Sequence, residues 1–374
     1  MSRPAIARID LAALRHNYRQ AKRLHGGRAL AVIKANAYGH GALMAANALK
    51  DVADGYAVAF LEEALPLRDA GIDKPILLLE GLFDAADLTL AVRHDLWIVV
   101  HQPEQIRLIE AAAPHHARLH VWLKIDSGMH RAGFAPGQAA SAYHRLLATG
   151  KVARITLMSH FARADEMDVL ATDAQTANFE AAVEGLPGER SLCNSAGILA
   201  WPGSHRDWAR PGIMLYGADP VSGSKGELKP VMTLESAVMA VRTLQPGEEL
   251  GYGARFTATR PTRVGLVAMG YADGYPRTVV NGTPVAVNGK PSRIIGRVSM
   301  DMLTVDLTDL PECGVGASVE LWGNRVSVND VASAAGTIAY ELLCNVKRVS
   351  FVYQDGQVDS DLRSRSEMEE ALPA

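Results

Sequence analysis

Short, uniformly apolar runs alternate with longer segments of helical period along the first part of the chain. The runs are Ala29–Ile33, Tyr56–Phe60, Pro75–Leu79, Leu96–Val100, Leu119–Ile125, Ile155–Met158 and Ser191–Cys193, with a weaker eighth at Asp207–Arg210 before Pro211 and Gly212. Apolar runs bounded by helices read as strands buried on both faces, hence parallel. The segments between them, such as Leu61–Ala70 and Pro103–Ala113, carry acidic residues early and apolar residues three or four apart, as amphipathic helices do. Seven or eight such units predict a (β/α)8 barrel of the TIM type. A doubly wound open sheet is the alternative. No GxGxxG follows the first run to favour its dinucleotide-binding form.

After about Pro220 the pattern changes. VSGSKGELKP, residues 221–230, is rich in Gly, Ser and Pro, as a linker or exposed loop is. Beyond it lie short β-prone runs at Ala237–Leu244, Val264–Met269, Pro284–Val287, Arg293–Ile295, Met302–Leu307, Val319–Leu321 and Val326–Val328. Turn signals fall between them at Pro246-Gly247, Asn288-Gly289 and Gly323-Asn324. This predicts a mainly β domain with one helix near Ile338–Cys344 and a polar, peripheral tail after Gln354. The expected division is 1–228 for the barrel and 229–374 for the β domain, with the first ~9 residues candidates to pack on the latter. No internal repeat or low-complexity tract is visible.

Composition narrows the function. With 48% hydrophobic and 21% charged residues, a chain of 374 residues can bury a core, which excludes a disordered chain. A net charge of −3 gives no footprint for nucleic acid. No stretch stays apolar for the ~20 residues of a membrane helix, and the N-terminus lacks the continuous apolar region of a signal peptide. The three cysteines, Cys193, Cys313 and Cys344, form no CxxC, so neither a metal site nor a disulfide framework is suggested. A cytoplasmic enzyme is the expectation.

In a barrel, functional groups sit at the C-terminal ends of the strands. Five polar clusters follow strand candidates there, at 34–41, 124–131, 159–161, 194–197 and 210–213. Lys34 is either a snorkelling or paired lysine, or an amine desolvated by its strand and able to form a Schiff base. Asn194-Ser195 and Gly212-Ile213 supply hydroxyl and N–H donors that suit a phosphate or a plain turn. Arg131 and Arg210 suit ion pairs, a carboxylate or a ring nitrogen. His160 suits an orienting hydrogen bond or general-base work. Together, a Schiff-base lysine, phosphate donors and an arginine aimed at a ring describe a pyridoxal phosphate site.

AVIKANAYGHG at Ala31–Gly41 resembles the cofactor-lysine motif of alanine racemases. KIDSGMHRAGF, SHFA, CNSAG, RPGIMLYG, GYGA, GYADGYPR and GRVSMD follow in the family's order, eight segments in all. The resemblance implies a barrel plus a β domain, pyridoxal 5'-phosphate and a head-to-tail homodimer with shared active sites acting on L- and D-alanine. It implies that Lys34 carries the cofactor, that Tyr38, Ser195, Gly212 and Ile213 bind its phosphate, and that Arg210, backed by His160, faces the pyridine nitrogen. Lys34 and Tyr252 would be the two bases of proton transfer, Tyr252 reaching in from the other subunit. Arg131 and the backbone of the partner's Met300 would take the substrate carboxylate, Lys124 would orient the arginine, and Tyr271 would line the entrance. A racemase of broader specificity and a decarboxylase of the same architecture are the alternatives. Where many members have a tyrosine before an RVP segment, Lys347 and Ser350 stand here, and His130 also departs from common forms.

Overall fold

The computed structural model describes residues 3–113, 119–221, 223–224 and 226–355; the tail expected beyond Gln354 lies, from residue 356, outside them. The chain divides into two compact units, Arg15–Lys229 and Met1–Leu14 with Pro230–Ala374.

The first unit is the predicted barrel. Its strands are β2 (Arg28–Val32), β3 (Gly55–Val58), β4 (Ile76–Leu78), β5 (Trp97–Val100), β6 (Leu119–Lys124), β7 (Val152–Met158), β8 (Glu189–Ser191) and β9 (Trp208–Ala209). All pair in parallel in the order β8-β7-β6-β5-β4-β3-β2-β9. The round is completed where Asp207 N–H donates to the Arg190 carbonyl at 3.1 Å and Arg210 N–H to the Cys193 carbonyl at 2.9 Å. Seven of the eight expected runs of this unit therefore hold a strand, whereas Ser191–Cys193 shares only Ser191 with β8, which lies earlier at Glu189–Ser191. The reason is two-sided burial: every residue of β3, β4 and β6 is buried, and each Val, Leu or Ile so placed contributes ~1.5–3 kcal/mol. Trp97, Trp122 and Trp208 fill one another's gaps inside, at centroid distances of 5.6 to 6.2 Å.

The second unit is mainly β. Its sheet runs β15 (Lys290–Arg293), β14 (Pro284–Val287), β17 (Ser318–Trp322), β10 (Met232–Leu244), β1 (Ile6–Asp10), β18 (Ser350–Gln354), with β13 (Thr262–Val267) pairing β10 and β16 (Leu303–Asp306). β1 pairs antiparallel with β10 and parallel with β18, which is why residues 1–14 group with the end of the chain. Asn288-Gly289 turns β14 into β15 with both φ values positive, 46° and 77°, as a type I′ hairpin requires.

Three expectations change in this unit. Val328 opens a helix, Val328–Ala335, rather than ending a strand at Val326–Val328. The Ser327 side chain accepts from Asn329 N–H and caps it, a start signal that outweighs two β-branched valines. The domain thus carries a second helix beside Ala339–Cys344. The strand expected at Arg293–Ile295 lies earlier, at Lys290–Arg293, and Ile294 makes only an isolated bridge to Val305. β18 was not expected; its half-exposed pairing on β1 leaves little apolar alternation to read.

Candidate active site

The backbone after β2 is unusual. Ile33 N–H donates to the Ala57 carbonyl at 2.9 Å, in register with β3. Lys34 follows, and the next four residues, Ala35, Asn36, Ala37 and Tyr38, all have left-handed φ values, between 50° and 55°. For L-residues this conformation costs roughly 1–2 kcal/mol apiece, so the turn stores several kcal/mol. It persists because it is held throughout. Ala35 N–H donates to Glu63 Oε1 at 2.6 Å, and Asn36 Oδ1 accepts from Ala42 N–H at 2.8 Å. His40 Nδ1 lies 3.0 Å from the Ala37 carbonyl and 2.9 Å from that of Tyr38, so this nitrogen carries the proton. The Tyr38, Tyr216 and His40 rings stack in sequence, at 4.9 and 4.5 Å. Tyr216 Oη donates to the Val32 carbonyl at 2.9 Å.

The same mouth collects the other barrel clusters. Ser195 opens the helix Ser195–Ala200, and its Oγ accepts from Gly212 N–H at 2.9 Å and Met214 N–H at 3.3 Å. A Cβ on Gly212 would sit 2.7 Å from Tyr38 Oη, so Tyr38, Ser195 and the Gly212-Ile213 turn meet in one small volume. Asn194 caps that helix, its Oδ1 accepting from Gly197 N–H at 3.0 Å and its Nδ2 reaching the Phe161 carbonyl at 3.4 Å. Both ends of its amide are therefore used on the chain itself.

Arg210 is buried, yet its partners are the Ser191 hydroxyl, the Ser159 carbonyl at 2.5 Å, the Leu192 carbonyl at 3.1 Å and His160 Nδ1 at 3.4 Å. None of these is a carboxylate. Burial pushes its guanidinium down to about 10, which still leaves it protonated near neutral pH. His160 is held well below the usual imidazole range, first by burial and then by Arg210, Lys124, Arg131 and Lys34. Burial likewise lowers Lys124 to about 8; Glu80 opposes the shift, and Arg131, Arg210 and Lys34 add to it. Lys34, Lys124, Arg131, Arg210 and His160 thus share one electrostatic environment, in which Glu80 opposes the shift of Lys124. Such a mouth suits an anionic ligand bearing a phosphate and a carboxylate. Arg131 itself is exposed.

The remaining candidates lie in the β unit. Tyr252 stands at the tip of the hairpin between β11 (Glu249–Leu250) and β12 (Phe256–Thr257), 66% exposed. Gly251 and Gly253 supply the positive φ values of its turn. Leu250 and Phe256 anchor the hairpin's base on Leu244, Ala258, Val264 and Ile295. Tyr271 and Met300 are neighbours: Tyr271 N–H donates to the Ser299 carbonyl and Ala272 N–H to that of Met300, at 3.0 and 2.9 Å. Lys347 is exposed, and so is His130, left-handed at φ 57° and 3.5 Å from Asp126. Among the described residues no His, Cys, Asp and Glu cluster could hold a metal, and no helix is long and apolar enough to cross a membrane.

Sequence reasoning passed over Glu63 and Tyr216, and read His40 only as part of a polar cluster. Ala-Asn-Ala-Tyr contains no glycine to announce four left-handed residues. The one local signal was Asn36, a residue type enriched in that conformation.

Family models describe both parts of the chain: the alanine racemase N-terminal domain matches residues 9–220 and the alanine racemase C-terminal domain residues 231–353. An alanine racemase of Azoarcus sp. (strain BH72) is 65% identical over 352 residues, covering 94% of this chain and 99% of that one. The crystal structure of the biosynthetic alanine racemase from Pseudomonas aeruginosa superposes with a TM-score of 0.91 at 48% identity, over 94% of this chain and 99% of that one. The alanine racemase from Bartonella henselae, whose crystal structure has covalently bound pyridoxal phosphate, superposes with a TM-score of 0.86 at 30% identity, again over 94% and 99%. With both domains matched in order and relatives of this identity along nearly the whole length, the chain belongs to the alanine racemase family.

Proposed function

We propose that this racemase interconverts L- and D-alanine with Lys34 and Tyr252 as its two bases and pyridoxal 5'-phosphate held on Lys34. The observation that carries the reading is the convergence of Lys34, Tyr38, Ser195, Gly212 and Arg210 at one barrel mouth in a chain of this family. When bound, the cofactor delocalises the electron pair left by the departing α-proton. Tyr38, Ser195 and the Gly212-Ile213 turn would hold its phosphate, and Arg210 would lie against its ring nitrogen. Since burial leaves it at about 10, it keeps its proton and donates a hydrogen bond rather than protonating the ring. By keeping its own proton, Arg210 would leave the cofactor a weaker electron sink and so favour prompt return of the proton to carbon. His160 fixes Arg210 from behind.

Inverting a centre requires removing a proton from one face and returning it to the other, so two groups must flank the substrate. Lys34 serves one face. Tyr252, exposed on its hairpin tip, serves the other from the second subunit of a homodimer. Arg131 and the backbone of the partner's Met300 bind the carboxylate, and Tyr271 lines the entrance. Lys124, lowered to about 8, is about one-tenth unprotonated at pH 7. It orients Arg131, and a carbamate on it would give that arginine an anionic partner. The retention of Tyr252 disfavours the decarboxylase alternative, which needs no second proton-transfer group.

The test is α-proton exchange in deuterated water with pyridoxal phosphate and L-alanine, followed by optical rotation. Exchange with racemisation is expected. Tyr252→Phe should slow turnover of L-alanine at least ~10²-fold, the scale of a lost general base, while still binding cofactor. Exchange with retained chirality, or unchanged L-alanine turnover in Tyr252→Phe, would overturn the two-base assignment.

A further inference from the structure

We propose that Glu63 is a positioning residue for Lys34: its carboxylate fixes the left-handed turn from which the lysine projects. The chain brings Glu63 there from the neighbouring strand. It sits in the first turn of the helix Leu61–Asp69, which follows β3, the strand paired in register with β2. One carboxylate receives three backbone donors from two elements. Oε1 accepts from Ala35 N–H at 2.6 Å, and Oε2 accepts from Ala59 N–H at 2.7 Å and Phe60 N–H at 3.3 Å. Ala35 is the residue immediately after Lys34 and the first of the four left-handed residues. The far end of the turn is held by His40 on the carbonyls of Ala37 and Tyr38. Glu63 is therefore the fixed point at the lysine end of a segment that, without glycine, has no intrinsic preference for its conformation.

A carboxylate is required by count. Three N–H groups need acceptors on both arms, and glutamine would turn an NH2 donor toward one of them. An ordinary helix-capping glutamate would need only the two contacts at residues 59 and 60. The bond to Ala35 is additional and crosses between the two strand ends.

Because the proposal rests on Lys34 as the attachment point, the experiment separates the two. Purified chain is mixed with pyridoxal phosphate and the rate of covalent attachment is followed by absorbance. Borohydride trapping and peptide mapping then identify the lysine. Glu63→Gln should slow attachment to Lys34 about tenfold, the change expected from losing one charge-assisted hydrogen bond. Adding Ala35→Gly in the same chain should restore most of the rate, since glycine adopts the left-handed conformation without help. A merely helix-capping Glu63 predicts no rescue by a glycine at residue 35. An unchanged rate in Glu63→Gln, or a loss that Ala35→Gly leaves in place, overturns the role of Glu63 while Lys34 labelling stands. Labelling at another lysine overturns the Lys34 reading and this one with it. Should Glu63→Gln fold poorly, amide exchange in the unaltered protein decides: protection of the exposed Ala35 N–H supports the tether, and free exchange refutes it.

Discussion

The left-handed turn after Lys34 predicts that the same substitution has opposite signs at two exposed alanines. Ala35 is exposed and left-handed, at φ 50°. Replacing it with glycine loses no buried surface and keeps the N–H that Glu63 holds. Relief of the left-handed conformation is worth ~1–2 kcal/mol, against ~0.5–1 kcal/mol for the extra freedom glycine gains when unfolded. Ala35→Gly should therefore stabilise the barrel by about 0.5–1 kcal/mol. Ala177 is also exposed but lies in the middle of the right-handed helix Ala171–Ala182. Ala177→Gly should destabilise by about 1 kcal/mol. Urea unfolding of the cofactor-free protein, followed by tryptophan fluorescence, measures both. Trp97, Trp122, Trp201 and Trp208 all report on the unit that carries the two alanines. The expected gap is about 1.5–2 kcal/mol, or several degrees in melting temperature. Equal losses at both positions would show that the turn after Lys34 is not strained and would refute the reasoning.

Other consequences are open to measurement. Gly212→Ala places a methyl 2.7 Å from Tyr38 Oη; pyridoxal phosphate affinity should fall by about tenfold or more as one of the two yields, and an unchanged titration would remove Gly212 and Tyr38 from a shared site. Burial holds His25, His40 and His120 each near 4 in the folded protein. Their ordinary value when unfolded is about 6.5. They are neutral when folded, so their contribution is complete above pH 6.5 and is lost as pH falls toward 4, up to about 3 kcal/mol for each. Unfolding free energies that stay flat between pH 6.5 and 4.5 would contradict that burial. Lys34→Ala should abolish the cofactor's lysine-dependent absorbance, and a persisting band would exclude Lys34 as its attachment point.

The sequence by itself determined the architecture and most of the chemistry. Eight apolar runs between helical segments yield eight parallel strands because residues buried on both faces must be apolar irrespective of the rest of the fold. The five polar clusters that follow strands fall at one end of the barrel, since strand direction fixes which end each occupies. In the β unit the short runs were harder to place. Ser327 turned a valine run into a helix, and β1 and β18 found partners more than two hundred residues away or across the chain's two ends, which no local pattern encodes. The tertiary structure alone decided how Lys34 is held. Four left-handed residues without a glycine oppose local preference, and they persist because Glu63, His40 and Tyr216, from three separate stretches of chain, supply the hydrogen bonds and stacking that offset the strain.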